Sequence, residues 1–286
     1  MMRETERANP ASKGIDALSV GRILEVMHSG DREVFEAVGR ALPQIEKVIE
    51  SAATAIGAGG RVFYAGAGTS GRLGVMDAAE VRPTFSSDDF IAFIAGGGAA
   101  LTQAVEGAED DEAKGAQAAG SLTGKDVAIG ISASGRTPYV IAFLEKAKQR
   151  GASAWLVSSN AVRYPFLDGA VTLLTGPEIV AGSTRLKAAT AQKLCLNMIS
   201  TVTMIKLGKV YDGLMVDVQP ANKKLVERAV RIISACTGAG NKTSMEYLEK
   251  SGMNPKTAVV MIKKNASREE AARLLRENGG RLRGLI

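Results

Sequence analysis

The chain has 286 residues, 45% of them hydrophobic, with 36 Lys/Arg against 30 Asp/Glu and one histidine, which is enough apolar mass for a sizeable core and too little imidazole for a multi-histidine metal site. No run of about 18 apolar residues occurs, the start MMRETERANP lacks a signal peptide's apolar stretch, and Cys195 and Cys236 have no CxxC spacing, so a membrane span, export, a disulfide framework and a cysteine-rich zinc site are disfavoured and the cytoplasm is the expected compartment. The net charge of +6 is uneven: residues 223–286 hold 14 Lys/Arg and 6 Asp/Glu, but at helical spacing among Ala, Leu and Glu, as in REEAARLLRENGGRLRGLI, which reads as a solvated helix face and not as a nucleic-acid surface.

Residues 1–14 are polar and read as a mobile arm. Helical periodicity covers Val20–Met27 and, with Asp31 as N-cap, a longer segment to about Ile56 that Gly57 and Gly59-Gly60 stop. Strand candidates follow at Arg61–Ala65, Phe90–Ala95, Asp126–Ser132, Ser153–Ser158 and Ala170–Leu174, separated by helical stretches. That alternation predicts an α/β fold, a parallel sheet covered by helices on both faces, with loops from the carboxyl ends of its strands converging on one ligand. Leu186–Leu207 reads as a long helix, apolar on most faces, buried in a core or between subunits. From about Ser234, three shorter helical patterns punctuated by Gly238–Gly240, Gly252–Pro255 and Gly279-Gly280 read as a small appendage. The expected division is an N-terminal arm with helices (1–56), the sheet domain (57–222) and a helical C-terminal appendage (223–286).

The segment Tyr64–Pro83, YAGAGTSGRLGVMDAAEVRP, runs from a strand through a Gly/Ser/Thr turn into a helix with a carboxylate, Glu80, near its end. Such a turn offers backbone N–H groups and hydroxyls to an anion. Gly66, Gly68 and Gly71 form a GxGxxG, but the second strand, FIAFIA, ends in Gly96-Gly97-Gly98 where a dinucleotide site wants an acidic residue for the ribose. Thr69 and Ser70 instead favour a compact anion such as a phosphomonoester. A second loop has the same chemistry, Ser132, Ser134, Gly135, Arg136 and Thr137, with Pro138 opening the next helix, and a third is Gly182-Ser183-Thr184-Arg185-Leu186-Lys187. Each loop alone is more often an ordinary N-cap than a ligand site; three in one α/β chain point to a ligand. Arg72 and Arg136 have two readings of equal standing, phosphate partner or a side chain that faces solvent or a subunit neighbour. His28 lies far in sequence from any nucleophile, so proton transfer falls mainly to Asp, Glu, Lys, Tyr or Cys.

GAGTSGR, SASGRTPYV and GSTRLKAATAQKLCLNMIS resemble the sugar-isomerase (SIS) class of sugar-phosphate-binding domains. With TERANP, IDALS, AVEGAED and GKVYDGLMVDVQPAN, nearly the whole chain resembles the N-acetylmuramic acid 6-phosphate etherase family of lyases. The resemblance implies an SIS-type parallel sheet with N-terminal helices and a small helical C-terminal appendage. It implies removal of the C3 lactyl ether of the phosphorylated amino sugar without metal or redox cofactor, in a homodimer whose sites lie near the subunit boundary. It places the acid that protonates departing lactate on Glu80 and the base that takes the C2 proton on Glu109; Glu106, Asp110, Asp111 and Glu112 stand close by, and only the family pattern selects among them. Thr69, Ser70, Ser132, Ser134, Gly135 and Thr137, with Ser183 and Lys187, are the expected sugar and phosphate ligands. The chain departs from the family pattern at Ala79, at Val81-Arg82 and at Gly98-Ala99-Ala100, leaving both glutamates in place. A sugar-phosphate-responsive transcription regulator would need a basic recognition helix that residues 15–56 lack. A silent regulatory binder like the glucokinase inhibitor would be a longer, duplicated chain. A sugar-phosphate isomerase, which needs the same C2 proton transfer, is the alternative enzyme.

Overall fold

In the computed structural model, which describes residues 4–286, the apolar runs form strands β1 (Val62–Gly66), β2 (Phe90–Ile94), β3 (Val127–Ile131), β4 (Ser153–Ser158) and β5 (Gly169–Thr172). All pair in parallel, in the order β2-β1-β3-β4-β5. The first five helices are α1 (Val20–Gly57), α2 (Gly68–Phe85), α3 (Glu112–Ala118), α4 (Pro138–Gln149) and α5 (Lys187–Lys206). The expected α/β architecture is present, and each strand ends within two residues of its sequence-based bounds.

The chain divides into two compact units, residues 1–78 with 89–200 and residues 79–88 with 201–286. In the first, α4 and α3 cover one sheet face: Tyr139, Val140, Phe143, Leu144 and Ala147 pack on Phe63, Ala65, Ala128 and Leu156. Gly115 of α3 approaches α4 so closely that a Cβ would fall 2.2 Å from the Tyr139 carbonyl oxygen. On the other face, α1 packs against β1, β3 and β5, burying Val34, Val38, Ile45 and Val48, and Trp155 Nε1 donates to Ser51 Oγ at 3.4 Å. α2 joins that face, with Gly74 seated on Tyr64 and Ile131. Strand order thus turns outward in opposite directions at β1 and β3, the switch point where open α/β sheets bind ligands.

Two expectations about the N-terminal region fail. Residues 4–17 are not a free arm: they make three short 3-10 turns, bury Thr5, and reach the loops after β4 and β5 through Glu4 N to Asn160 Oδ1 (2.8 Å), Asn9 Nδ2 to the Pro177 carbonyl (3.0 Å) and Ser12 Oγ to the Ile179 carbonyl (2.6 Å). Polarity alone does not distinguish a segment bonded to water from one bonded to loop carbonyls. The rest of that expected arm, residues 1–3, lies outside the described residues. Asp31 is not an N-cap; one helix of 38 residues runs through it, capped by Ser19. An internal glycine costs a helix only about 1 kcal/mol, which the buried face of α1 more than offsets.

The second unit holds α6 (Lys223–Thr237), α7 (Asn241–Lys250), α8 (Pro255–Lys264) and α9 (Arg268–Glu277), packed around Val218, Ile233, Leu248, Val259, Val260 and Leu275. The sequence pattern from Ser234 catches the last three; α6 begins earlier, capped by Asn222.

Candidate active site

Gly66 pairs with Ile131, so the turn after β1 and the loop after β3 leave the sheet side by side at the switch point. The first turn is compressed. A Cβ on Gly66 would lie 2.6 Å from Gly71 N, and one on Gly71 would lie 2.7 Å from the Gly66 carbonyl oxygen, so α2 starts immediately at Gly68 and its first amides, with no intrahelical acceptor, emerge beside the crevice. Thr69 is half-buried there. Ser70 is turned inward, its Oγ 2.8 Å from Gln192 Oε1 of α5.

The second loop is ordered before any ligand arrives. Ser132 is buried and acts as its hub, 2.8 Å from Thr137 Oγ1, 3.2 Å from Ser134 Oγ and accepting from Gly135 N at 3.0 Å. The Arg136 amide donates to Ser134 Oγ at 3.1 Å. Gly135 has φ +71°, and a Cβ there would fall 2.6 Å from Ser158 Oγ, so only glycine lets the loop turn here. Thr137 occupies the N-cap position of α4 without its hydroxyl capping the helix, and Pro138 follows at N1. By contrast α1, α3, α6, α8 and α9 are capped by side chains of Ser19, Asp111, Asn222, Asn254 and Ser267. The α4 terminus therefore keeps its positive end for an anion, with half-buried Ser134 and Thr137 at its mouth.

The third cluster is built differently. The N-terminus of α5 is already occupied by the buried Glu178 carboxylate, which accepts from Lys187 N at 3.0 Å and Ala188 N at 2.9 Å. The Lys187 ammonium, itself buried, donates to Glu33 of α1 at 2.6 Å. Ser183 is half-buried in the turn before it. Neither this helix end nor this ammonium is left open to a phosphate, and both partners, distant in sequence, are invisible to local pattern. Arg136 is exposed, whereas Arg72 donates from Nε to the Leu101 carbonyl (3.2 Å) and from Nη2 to the Gln103 carbonyl (2.8 Å).

Glu109 lies in a short 3-10 turn, Ala108–Asp110, with an exposed side chain. Ala108 packs on the core containing Tyr139, and the Asp111 charge, after burial, raises the Tyr139 phenol above its ordinary value. Tyr139 stands two residues past Thr137, so Glu109 belongs to the same unit and the same α4 end as the hydroxyl cluster. Glu80 is exposed near the end of α2, in the second unit. One turn earlier is a group that sequence reading missed: buried Asp77 accepts from Asn197 Nδ2 (2.7 Å), Ser200 Oγ (3.1 Å) and Tyr64 Oη (3.1 Å). Burial raises its carboxyl above the ordinary range, and those hydrogen bonds oppose the shift. A lone Asp on the small, apolar face of MDAA was the available signal. A cavity of about 730 Å³ in the first unit lies away from these groups, against Asn9, Arg22, Glu33, Arg185 and Lys187; only Lys187 among the expected ligands lines it.

Residues 44–148 match the family model described as the glucokinase regulatory protein N-terminal SIS domain. Over 282 residues the chain is 48% identical to N-acetylmuramic acid 6-phosphate etherase 1 of Bacillus licheniformis, covering 96% of this chain and 93% of that one. It is 47% identical over 285 residues to the N-acetylmuramic acid 6-phosphate etherase of Klebsiella aerogenes, covering 98% and 94%. Among solved structures, an E. coli CFT073 protein aligns over 66% of this chain and 93% of its own, at 16% identity and a TM-score of 0.48.

Proposed function

The chain belongs to the N-acetylmuramic acid 6-phosphate etherase family, and from that membership we infer how its residues share out the reaction. The enzyme cleaves the C3 lactyl ether of N-acetylmuramic acid 6-phosphate, giving N-acetylglucosamine 6-phosphate and D-lactate in peptidoglycan recycling. An ether oxygen is a poor leaving group, but opening the sugar ring exposes a C1 aldehyde that acidifies the C2 proton. In the proposed sequence Glu109 takes that proton and the C2–H electrons pass into an enolate with the C1 aldehyde; the enolate then forms the C2=C3 bond as the C3–O bond breaks, and Glu80 protonates the departing lactate oxygen. Water activated by Glu80 then adds its oxygen to C3 and C2 regains a proton. Substrate and water give the two products with no electron transfer, so a base and an acid suffice without a cofactor.

The observation that carries the substrate side is the uncapped α4 terminus with its Ser132–Ser134–Thr137 cluster beside the Gly66–Ser70 turn. We assign the phosphate to Ser134, Gly135 and Thr137 and the sugar to Thr69, with Ser132 and Ser70 holding the loops in shape and Ser183 and Lys187 supporting the third. Residues 57–222 serve as the sugar-phosphate-binding domain, preceded by the N-terminal segment 1–56 and followed by the 223–286 appendage. Product analysis in ¹⁸O-water tests the route: the label is expected at C3 of N-acetylglucosamine 6-phosphate and absent from lactate. Label in lactate would mean cleavage on the lactyl side and overturn the elimination.

We assign the working form as a cytoplasmic homodimer. No helix among the described residues is long and apolar enough to cross a membrane, and the substrate is a charged sugar phosphate. Val20, Leu24, Phe35 and Leu42 are 74%, 61%, 69% and 49% exposed and fall along one side of α1, an apolar stripe that a second copy would cover. Mixing Glu80→Ala and Glu109→Ala proteins is expected to recover lactate release, because a site at the subunit boundary draws its two glutamates from different chains. A fully active monomer at micromolar concentration would contradict the dimer, and no recovery in a verified heterodimer would place both glutamates on one chain.

A further inference from the structure

We propose that Arg72 is a positioning residue for proton abstraction, bracing the loop that leads to Glu109 against the helix whose first turn faces the sugar phosphate. The inference rests on Glu109 being the base. Arg72 sits in the second turn of α2. It makes no ion pair among the described residues. Its guanidinium is instead directed at two carbonyls of one loop, those of Leu101 and Gln103, at 3.2 and 2.8 Å, a spacing suited to the rigid planar fork of arginine.

That loop needs a brace. Every residue from Leu101 to Gly107 is exposed, so burial does little to fix it; Val105 rests on Gly96, and the remaining backbone bonds of Thr102 and Gln103 are local, to the Ala99 carbonyl. Downstream, Glu109 is anchored through Ala108 on the core and through Asp111, which caps α3 by accepting from Lys114 N at 2.9 Å. Upstream, the Arg72 contacts tie the same loop to α2. The helix that offers its first amides at the crevice therefore also sets the height of the segment carrying the base, fixing C2 and its proton acceptor in one frame.

The test compares Arg72→Ala, Arg72→Lys and Glu109→Ala for C2 hydrogen exchange with solvent and for KM. Arg72→Ala is expected to lower the exchange turnover about 10- to 100-fold, the scale of an ångström of misplacement, with KM for the phosphorylated sugar within about twofold, as befits a group that binds no substrate. Arg72→Lys keeps the charge but not the fork and is expected to recover only part of the loss. Thermal melting of all three confirms that they are folded, and if the alanine variant is not, the lysine variant carries the comparison. A KM raised tenfold or more with turnover kept would make Arg72 a phosphate ligand and overturn the proposal, and so would wild-type exchange in Arg72→Lys. Glu109→Ala separates the two levels: exchange surviving there removes the base assignment and this inference with it, whereas exchange lost there but unchanged in both Arg72 variants removes only the inference.

Discussion

Replacing Glu109 with alanine is expected to lower lactate release about 10²- to 10⁴-fold, the usual worth of a positioned general base. Without it the C2 proton has no acceptor, the C2=C3 bond cannot begin to form, and the ether stays as inert as in water. Glu80→Ala is expected to fall by a similar factor for a different reason, since lactate must then leave as an unprotonated alkoxide. The acidic run around Glu109 supplies the control. Glu106→Ala and Asp110→Ala are expected to stay within about threefold of wild type, because general catalysis depends on a group at hydrogen-bond reach of the reacting proton and not on acidity nearby. A larger loss at either position than at Glu109 would reassign the base within the cluster, and near-normal release in both Glu80→Ala and Glu109→Ala would remove the two-carboxylate mechanism.

Ser134→Ala is expected to weaken binding of the phosphorylated sugar by about 1.5 to 3 kcal/mol, the cost of losing a hydroxyl that bonds a charged group, or roughly 10- to 150-fold in KM. The buried Ser132 hub persists in this variant, still bonded to Thr137 Oγ1 and Gly135 N, so the α4 terminus keeps its shape and the effect is confined to the ligand. Unphosphorylated N-acetylmuramic acid, which makes no use of that terminus, is expected to change little. Equal loss on both sugars would contradict a phosphate role for Ser134. Ser132→Ala is the instructive contrast, for it is expected to disorder the loop and raise KM through Ser134 and Thr137 together.

The sheet was legible because five apolar runs bounded by glycines and polar turns have few other solutions in a chain of this size. The two glycine and hydroxyl loops were legible because local sequence encodes local geometry: Gly66 and Gly71 must touch, Gly135 must take positive φ, and Pro138 must open α4. What escaped was long-range. Ser29-Gly30-Asp31 looks like a helix boundary until the rest of the chain covers α1, and the polar residues 4–12 look free until the loops after β4 and β5 supply their partners. Lys187 looked like a phosphate ligand because nothing nearby in sequence hints at Glu33, 154 positions away, or at Glu178 filling the α5 terminus. Arg72 had two sequence readings, and its bonds to the Leu101 and Gln103 carbonyls correspond to neither. Glu109 could be singled out only by family pattern, since four other carboxylates crowd positions 106–112 and helix or strand period does not rank them.

The division of labour between the two glutamates is tested most directly by incubating the Glu80→Ala enzyme with N-acetylmuramic acid 6-phosphate in D₂O and reading deuterium at C2 of the recovered substrate beside lactate release. With Glu109 intact the C2 proton is removed and returned, while the ether oxygen lacks its acid. The expected result is substrate that gains deuterium at C2 in near-wild-type time while lactate release is depressed by two orders of magnitude or more, about the worth of the missing acid. Recovered substrate without deuterium, or lactate released at the wild-type rate, would contradict it.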